Sequence, residues 1–288
     1  MAIGVLYVVA TPIGNLEDLS ARALRILGEV DLIAAEDTRR TRALLTKHGL
    51  RRRLTSYHDA VERQRAPALV DALRGGSDVA LVSDAGTPGV SDPGHHLIRG
   101  AIAAGIQIVP VPGPSAVTAL LSVAGIPCER FAFEGFLPPR AGPRRRRLDG
   151  LATEPRALVF LEAGRRLPAF LEAAEAALGD RPAVIGREMT KRYEEILRGA
   201  LSELRAELVS RGGVRGETTI VVSGATDRKH ALQIAPDALD ARIRSLRAAG
   251  VSLRDIAARL AVEHDLPKRA VYRRALVLEG RGPHQPRT

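Results

Sequence analysis

The chain has 288 residues, 45% hydrophobic and 26% charged, which suits about two globular domains of roughly 150 residues each and excludes whole-chain disorder. Its 43 Lys and Arg against 33 Asp and Glu leave +10, of which residues 1–128 hold +1, residues 129–228 hold +3 and residues 229–288 hold +6. That asymmetry points to a polyanionic partner, and the single cysteine, Cys128, excludes an internal disulfide and a thiolate metal cluster and suits a reducing cytosol.

The apolar start of the chain lacks a basic opening and a cleavage pattern, and it stops at Thr11-Pro12-Ile13-Gly14, so it reads as a first strand and not a signal peptide. Further strands are predicted at Asp31 to Ala35, Leu54 to Tyr57, Val79 to Ser83 and Ile106 to Val111, with helical patterns between them. Ser20 or Asp18 caps the first helix, which puts Ala23, Leu24 and Leu27 on one face, and Val61 to Arg74 forms another, stopped by Gly75-Gly76. This alternation predicts parallel sheets built from βαβ units. Gly100 to Cys128 is uncharged and long enough to cross a bilayer, but Pro110, Pro112 and Pro114 break any continuous helix. Strand, turn and buried helix are expected there, with no membrane span.

The second half repeats the rhythm, with strands near Arg130 to Phe136, Ala157 to Leu161, Ala183 to Arg187, Tyr193 to Arg198 and Thr218 to Ser223. Between the first two lies a Pro/Gly-rich segment ending in Arg144, Arg145, Arg146 and Arg147, read as a phosphate-contacting or merely solvated loop. From Pro236 onward only short helices are expected. Val251 to Ala261 is amphipathic with Ser252 as cap, and after a turn at Asp265 to Pro267 a basic helix carries Lys268, Arg269, Arg273 and Arg274. The pair reads as a helix-turn-helix-like module or as helices packing on the enzyme body. The expected domains are 1–113, 114–228 and 236–280, with a disordered tail at 281–288.

Several nucleotide and nucleophile motifs are missing. No lysine completes a G-x-x-x-x-G-K-[ST] loop, no G-x-G-x-x-G follows the first strand, and no G-x-S-x-G elbow occurs. The seven histidines are scattered, so no metal site is expected. What remains is three Gly/Pro-rich loops, each just after a predicted strand, where open α/β sheets bind ligands. They are Thr11 to Asn15, Ser83 to Gly94 and Pro112 to Ala116. Their glycines let backbone approach a ligand. In the second loop Asp84, Thr87, Ser91 and Asp92 suit an amino group or a ribose diol, and the third opens a helix whose N-terminus favours a carboxylate.

The ordered segments T-P-I-G-N-L (Thr11 to Leu16), A-A-E-D-T-R (Ala34 to Arg39), S-D-A-G-T-P (Ser83 to Pro88), D-P-G (Asp92 to Gly94), P-G-P-S-A (Pro112 to Ala116), E-G-F-L-P (Glu134 to Pro138) and R-E-M-T-K (Arg187 to Lys191) resemble the tetrapyrrole-methylase superfamily. Within it they are most similar to the branch that modifies small-subunit ribosomal RNA, which the basic helical end also matches. The resemblance implies two α/β domains of the class III methyltransferase type, S-adenosylmethionine in the cleft between them, and a small C-terminal helix-turn-helix-like domain. It also implies a cytoplasmic homodimer that methylates the ribose 2′-hydroxyl of a decoding-centre cytidine in 16S ribosomal RNA within the small ribosomal subunit. For the cofactor it implies Pro12, Asp84, Gly86, Thr87, Pro88, Val90, Ser91, Ser115 and Ala116 near the methionine end, and Leu161 and Glu188 near the nucleoside. One departure stands out: where the family commonly has E-S-x-x-R, this chain reads Glu162-Ala163-Gly164-Arg165-Arg166.

Methyl transfer to a hydroxyl needs in-line alignment and a proton acceptor. Glu36, Asp37, Glu162 and Glu188 are the candidate bases, and the charge on Lys191 lowers the hydroxyl pKa. Arg39 and Arg166 are expected at phosphates, although Glu36, Asp37 and Arg39 equally suit a helix-start capping and ion-pair cluster. The alternatives are a tetrapyrrole C-methyltransferase, which leaves the basic end unexplained, and a helix-turn-helix regulator, for which Lys268 to Arg274 lacks Asn and Gln.

Overall fold

The computed structural model describes residues 3–225, 236–263, 266 and 268–279. The first lobe is a parallel sheet of β1 (Leu6–Val9), β2 (Leu32–Ala35), β3 (Leu54–Ser56), β4 (Val79–Val82) and β5 (Ile108–Val111), in the order β3-β2-β4-β1-β5. Central β4 reads Val-Ala-Leu-Val and is buried throughout, as a strand covered on both faces must be. One face packs Leu6, Leu73, Leu81 and Leu97 under α3 (Glu62–Arg74) and α4 (His95–Ala103). The other packs Val9, Leu27, Ile33 and Val82 under α1 (Ala21–Glu29) and α2 (Thr38–Lys47). Ser20 is the cap of α1, its Oγ accepting from Ala23 N at 3.0 Å.

After α5 (Ala116–Val123), the second lobe holds β6 (Phe131–Phe136), β7 (Ala157–Ala163), β8 (Pro182–Arg187), β9 (Glu195–Ala200) and β10 (Glu217–Val222), in the order β6-β7-β10-β8-β9. Here the expectation of a parallel sheet is corrected. Only β6 and β7 run parallel, and the other pairings are antiparallel. The strand and helix rhythm is the same in both lobes, but strand direction depends on which neighbour each strand takes. The helices α7 (Leu167–Leu178) and α8 (Leu201–Ser210) close a core around Phe160, Phe170, Leu204 and Ile220.

The arginine run is also corrected, from loop to helix α6 (Ala141–Asp149). Pro143 falls in its first turn, where a missing N–H forfeits no intrahelical bond. Arginine is a good helix former, and Leu148 is fully buried, which anchors one face to the lobe.

Both sheets lie in one compact unit, Met1–Ser223, and Gly224–Thr288 forms a second. The second unit contains α9 (Pro236–Ala248), α10 (Leu253–Glu263) and α11 (Lys268–Leu278) around Ile243, Ile256, Leu260 and Val271. Ser252 accepts from Asp255 N at 3.2 Å, as a cap does. Asp265 and Pro267 of the expected turn, and the tail at 281–288, lie outside the described residues. Among those described, no helix is long and apolar enough to cross a membrane.

Candidate active site between the two lobes

Because β4, β1 and β5 are neighbours in the sheet, the loops leaving their carboxyl ends emerge side by side. Thr11 and Gly86 tie the first two together by exchanging backbone bonds of 2.9 and 3.0 Å. Across from them stands the turn between β8 and β9. Asn15 N donates to Thr190 Oγ1 at 3.0 Å, and a side chain at Gly14 would strike Lys191 and Thr190, so the first loop sits flush against the second lobe. The positive-φ non-glycine residues among those described are Ser91, Glu188 and Thr190. All three belong to these facing turns, where strained backbone is a mark of function.

A cavity of about 460 Å³ opens between the facing turns, within the ordinary range for a small-molecule site. The first lobe contributes Ile13, Gly86, Thr87, Val90, Asp92, Ser115 and Ala116. The second contributes Phe133, Phe136, Leu161, Glu162, Ala163, Gly186, Glu188, Met189, Lys191, Glu217, Thr218 and Thr219.

Lys191 Nζ donates to Glu188 Oε1 at 3.0 Å and to Glu217 Oε2 at 2.9 Å. Burial works to lower its pKa, but the bonds to Glu217 and Glu188 prevail and the ammonium is held above its usual value. Glu188 shifts the other way: the Glu217 backbone N–H, then Lys191, holds its carboxyl below the usual range. Glu162 is 1% exposed. Its Oε1 accepts from Ala163 N at 2.8 Å, and Arg166 Nη2 lies 3.0 Å from its Oε2. Asp92 is the outlier. Burial, reinforced by the nearby Glu36 carboxylate, pushes its carboxyl up to about 7.

Of the expected site residues, Gly86, Thr87, Val90, Ser115, Ala116, Leu161, Glu162, Glu188 and Lys191 share this cavity. Pro12 and Asp84 line a different one, behind the Thr11–Gly86 bridge. Pro88 and Ser91 are not on the cavity wall, and Ser91 Oγ lies against Gly135 of β6. Glu36 and Asp37 also fall outside it. Glu36 Oε2 accepts from Asp84 N at 3.0 Å. Asp37 caps α2 by accepting from Arg39 N at 2.8 Å, and the Arg39 side chain folds back on it, holding its carboxyl down at about 2. Asp37 and Arg39 therefore form the expected cap and ion pair, while Glu36 is turned to the Asp84 backbone instead.

The expected phosphate-binding arginines divide as well. Arg166 is turned inward to Glu162 and to the Leu137 carbonyl. Arg145 pairs with Asp149 and Arg147 with Glu134. Arg274 donates to Asp240 from Nε and Nη2, at 2.8 and 2.7 Å. Lys268, Arg269 and Arg273 are exposed.

Several wall residues escaped the sequence reading. Met189 lies inside the R-E-M-T-K segment that carried the resemblance and Gly186 directly before it, so a signal for them was present. Thr218 and Thr219 gave none. They reach the cavity because β10 pairs them with Glu162 and Leu161 of β7, a register that no local pattern encodes.

Residues 5–205 match the family of Tetrapyrrole (Corrin/Porphyrin) Methylases. The chain is also 44% identical over 283 residues to the ribosomal RNA small subunit methyltransferase I of Pseudomonas aeruginosa, covering 98% of this chain and all of that one. The chain belongs to the ribosomal RNA small subunit methyltransferase I family of tetrapyrrole methylases. Family members from Escherichia coli O157:H7 (45% identity, 96% of each chain) and Mycobacterium tuberculosis (43%, 99% of this chain and 100% of that one) are similarly close. Among solved structures, the methyltransferase CobJ superposes with a TM-score of 0.59 at 22% identity, over 77% of this chain and 95% of that one. Uroporphyrin-III C-methyltransferase from Thermus thermophilus, complexed with S-adenosylhomocysteine, gives 0.52 at 20%, over 76% and 97%. These structures share the fold.

Proposed function

We propose that the chain transfers a methyl group from S-adenosylmethionine to ribosomal RNA of the small subunit, and specifically to the ribose 2′-hydroxyl of a decoding-centre cytidine in 16S RNA. The observation that carries the reading is that the strand-end loops holding the family motifs share one cavity with Lys191. The near-full-length similarity to the ribosomal RNA methyltransferases supports the substrate class.

The wall suits a sulfonium ligand. It offers apolar surface from Ile13, Leu161 and Met189, with the carboxyls of Asp92, Glu162, Glu188 and Glu217 against the single cation Lys191, a balance complementary to a positive ligand. Gly86, at φ +80°, leaves backbone open at the first-lobe side. Bound there, S-adenosylmethionine supplies an electrophilic methyl group. Lys191, kept protonated by its two carboxylates, donates to the ribose oxygen and lowers the pKa of the attacking hydroxyl. Asp92 lines the same cavity as Lys191 and is the proton acceptor in this reading, its carboxyl pushed up by burial toward the working pH. Glu162 serves the wall by anchoring Arg166.

The homodimer, the assembled small subunit as substrate and the cytoplasmic setting are part of the same proposal, supported by the family resemblance and by the lone cysteine. The test offers labelled donor to naked 16S RNA, isolated small ribosomal subunits and a uroporphyrinogen substrate. Incorporation into ribosomal RNA, lost when the target ribose is 2′-deoxy, is the expected result. Label in the porphyrin alone would overturn the reading.

A further inference from the structure

On the wall of the cavity between the lobes, Phe136 is 57% exposed and Val90 46%. Local structure puts the phenyl ring there. In an unbroken strand residues alternate between faces, so Phe136 would follow Ala132 onto the face that packs against the core around Phe160. The ladder with β7 breaks that alternation. Phe133 pairs with Val159, Gly135 with Phe160 and Phe136 with Leu161, which leaves Glu134 as the extra residue of a β-bulge. Gly135, at φ +59°, supplies the left-handed backbone at the bulge. Phe136 is thereby turned onto the face of Phe133 and Leu161, and all three line the cavity. A ring that regular alternation would send to the core is left at the open rim instead.

Ser91 Oγ lies against Gly135, so the bulge also meets the loop after β4, whose Val90 and Asp92 are the chain neighbours of Ser91 and line the same cavity. Glu162, Thr218 and Thr219, each 3% exposed or less, form a floor that suits a small ligand. The rim is what a polynucleotide can reach. Two exposed arginines follow the paired strand ends, Arg140 after Phe136 and Arg165 after Leu161, and Arg166 ties the two exits together by donating to the Leu137 carbonyl at 3.0 Å. Neither Arg140 nor Arg165 has a carboxylate in ion-pair range among the described residues, and the bulged Glu134 is taken by Arg147.

Resting on the proposed RNA substrate, we infer that Phe136 is the platform on which the base of the acceptor nucleotide stacks, with Val90 at its edge and the ribose hydroxyl toward Asp92. Every base has a π-face, so one exposed ring orients an extruded nucleotide without reading its sequence. Arg140 and Arg165, free of carboxylates, suit the phosphates on either side of it.

The chain has no tryptophan, so Phe136→Trp sets a single indole fluorophore at the rim. Its emission is followed while the full chain is titrated with S-adenosylhomocysteine and then with 16S RNA, whose binding is measured in parallel by filter retention. RNA is expected to quench the indole, and S-adenosylhomocysteine alone to leave most of the emission. Full quenching by S-adenosylhomocysteine alone would give the ring to the cofactor's adenine, and RNA that binds without quenching would put the base elsewhere. Either result overturns the inference. In turnover, Phe136→Ala is expected to lower kcat/KM for RNA roughly 10- to 100-fold with S-adenosylmethionine affinity in calorimetry as it was, and Phe136→Trp to recover most of that loss. Wild-type kcat/KM in Phe136→Ala would overturn the inference alone. Failure of the unaltered chain to bind RNA would overturn the proposed substrate along with it.

Discussion

In the proposed reaction Lys191 and Asp92 divide the chemistry between charge and proton. Lys191 is held as an ammonium by Glu188 and Glu217, which in that reaction makes it a polarising group and not a proton acceptor. Lys191→Ala, assayed with saturating cofactor, should lower turnover at least ~100-fold, within the range for a positioned catalytic group. Near-normal turnover would remove Lys191 from the reaction. Asp92→Asn should lower turnover to a similar degree and abolish the rise of activity through pH 7 that titration of Asp92 imposes.

The same carboxyl leaves a mark on stability. Its folded pKa, about 7, lies above the ordinary 3.8, so between those values the folded chain keeps a proton that the unfolded chain has released. Stability from this group therefore falls as pH rises from 4 to 7 and is constant above. Relative to wild type, Asp92→Asn should gain about 4 kcal/mol between pH 4 and pH 8 in urea unfolding, at about 1.4 kcal/mol for each unit that the carboxyl is raised. A difference that does not vary with pH would show that Asp92 titrates normally.

Between elements, the telling contact joins the end of β7 to the turn before α7. Glu162 is buried at the strand end, and Arg166, four residues on, is its counter-charge. This pairing accounts for glutamate and arginine at the E-x-x-x-R spacing, and the Ala163 side chain takes no part in it. Arg166→Ala leaves a buried carboxylate without its counter-charge and should cost about 3 kcal/mol in denaturant unfolding. Adding Glu162→Gln should restore part of the loss, and strict additivity would argue against the pairing. Helix α6 gives a related lesson. Four arginines read as a phosphate-contacting or solvated loop because they share no face, yet they fold as a helix with a first-turn proline and one buried leucine.

Two separate compact units make up the whole molecule, and the basic surplus is spread between them. A chain ending at Ser223 should bind S-adenosylmethionine as the full protein does in calorimetry, since the residues lining the cavity lie before that point. Its RNA affinity should drop and its salt slope flatten by about one for each lost phosphate contact, the contacts of Lys268, Arg269 and Arg273. Unchanged RNA binding would confine the interface to the α/β unit.

The ten strands, the helix caps and the three convergent loops were legible in the sequence because each is local. A buried strand needs an apolar run, a cap needs a hydroxyl or carboxylate at one position, and a tight loop needs Gly and Pro. Pairing is not local. The antiparallel course of the second sheet, the arrival of Thr218 and Thr219 beside Glu162 and Leu161, and the dismissal of Glu36 and Asp37 from the cavity all follow from which chain segments become neighbours. The amino-acid order set the segments and the family chemistry they carry. The packed structure alone decided which carboxyl is desolvated enough to exchange a proton near neutrality, because desolvation and charge coupling depend on distance in space and not on spacing along the chain.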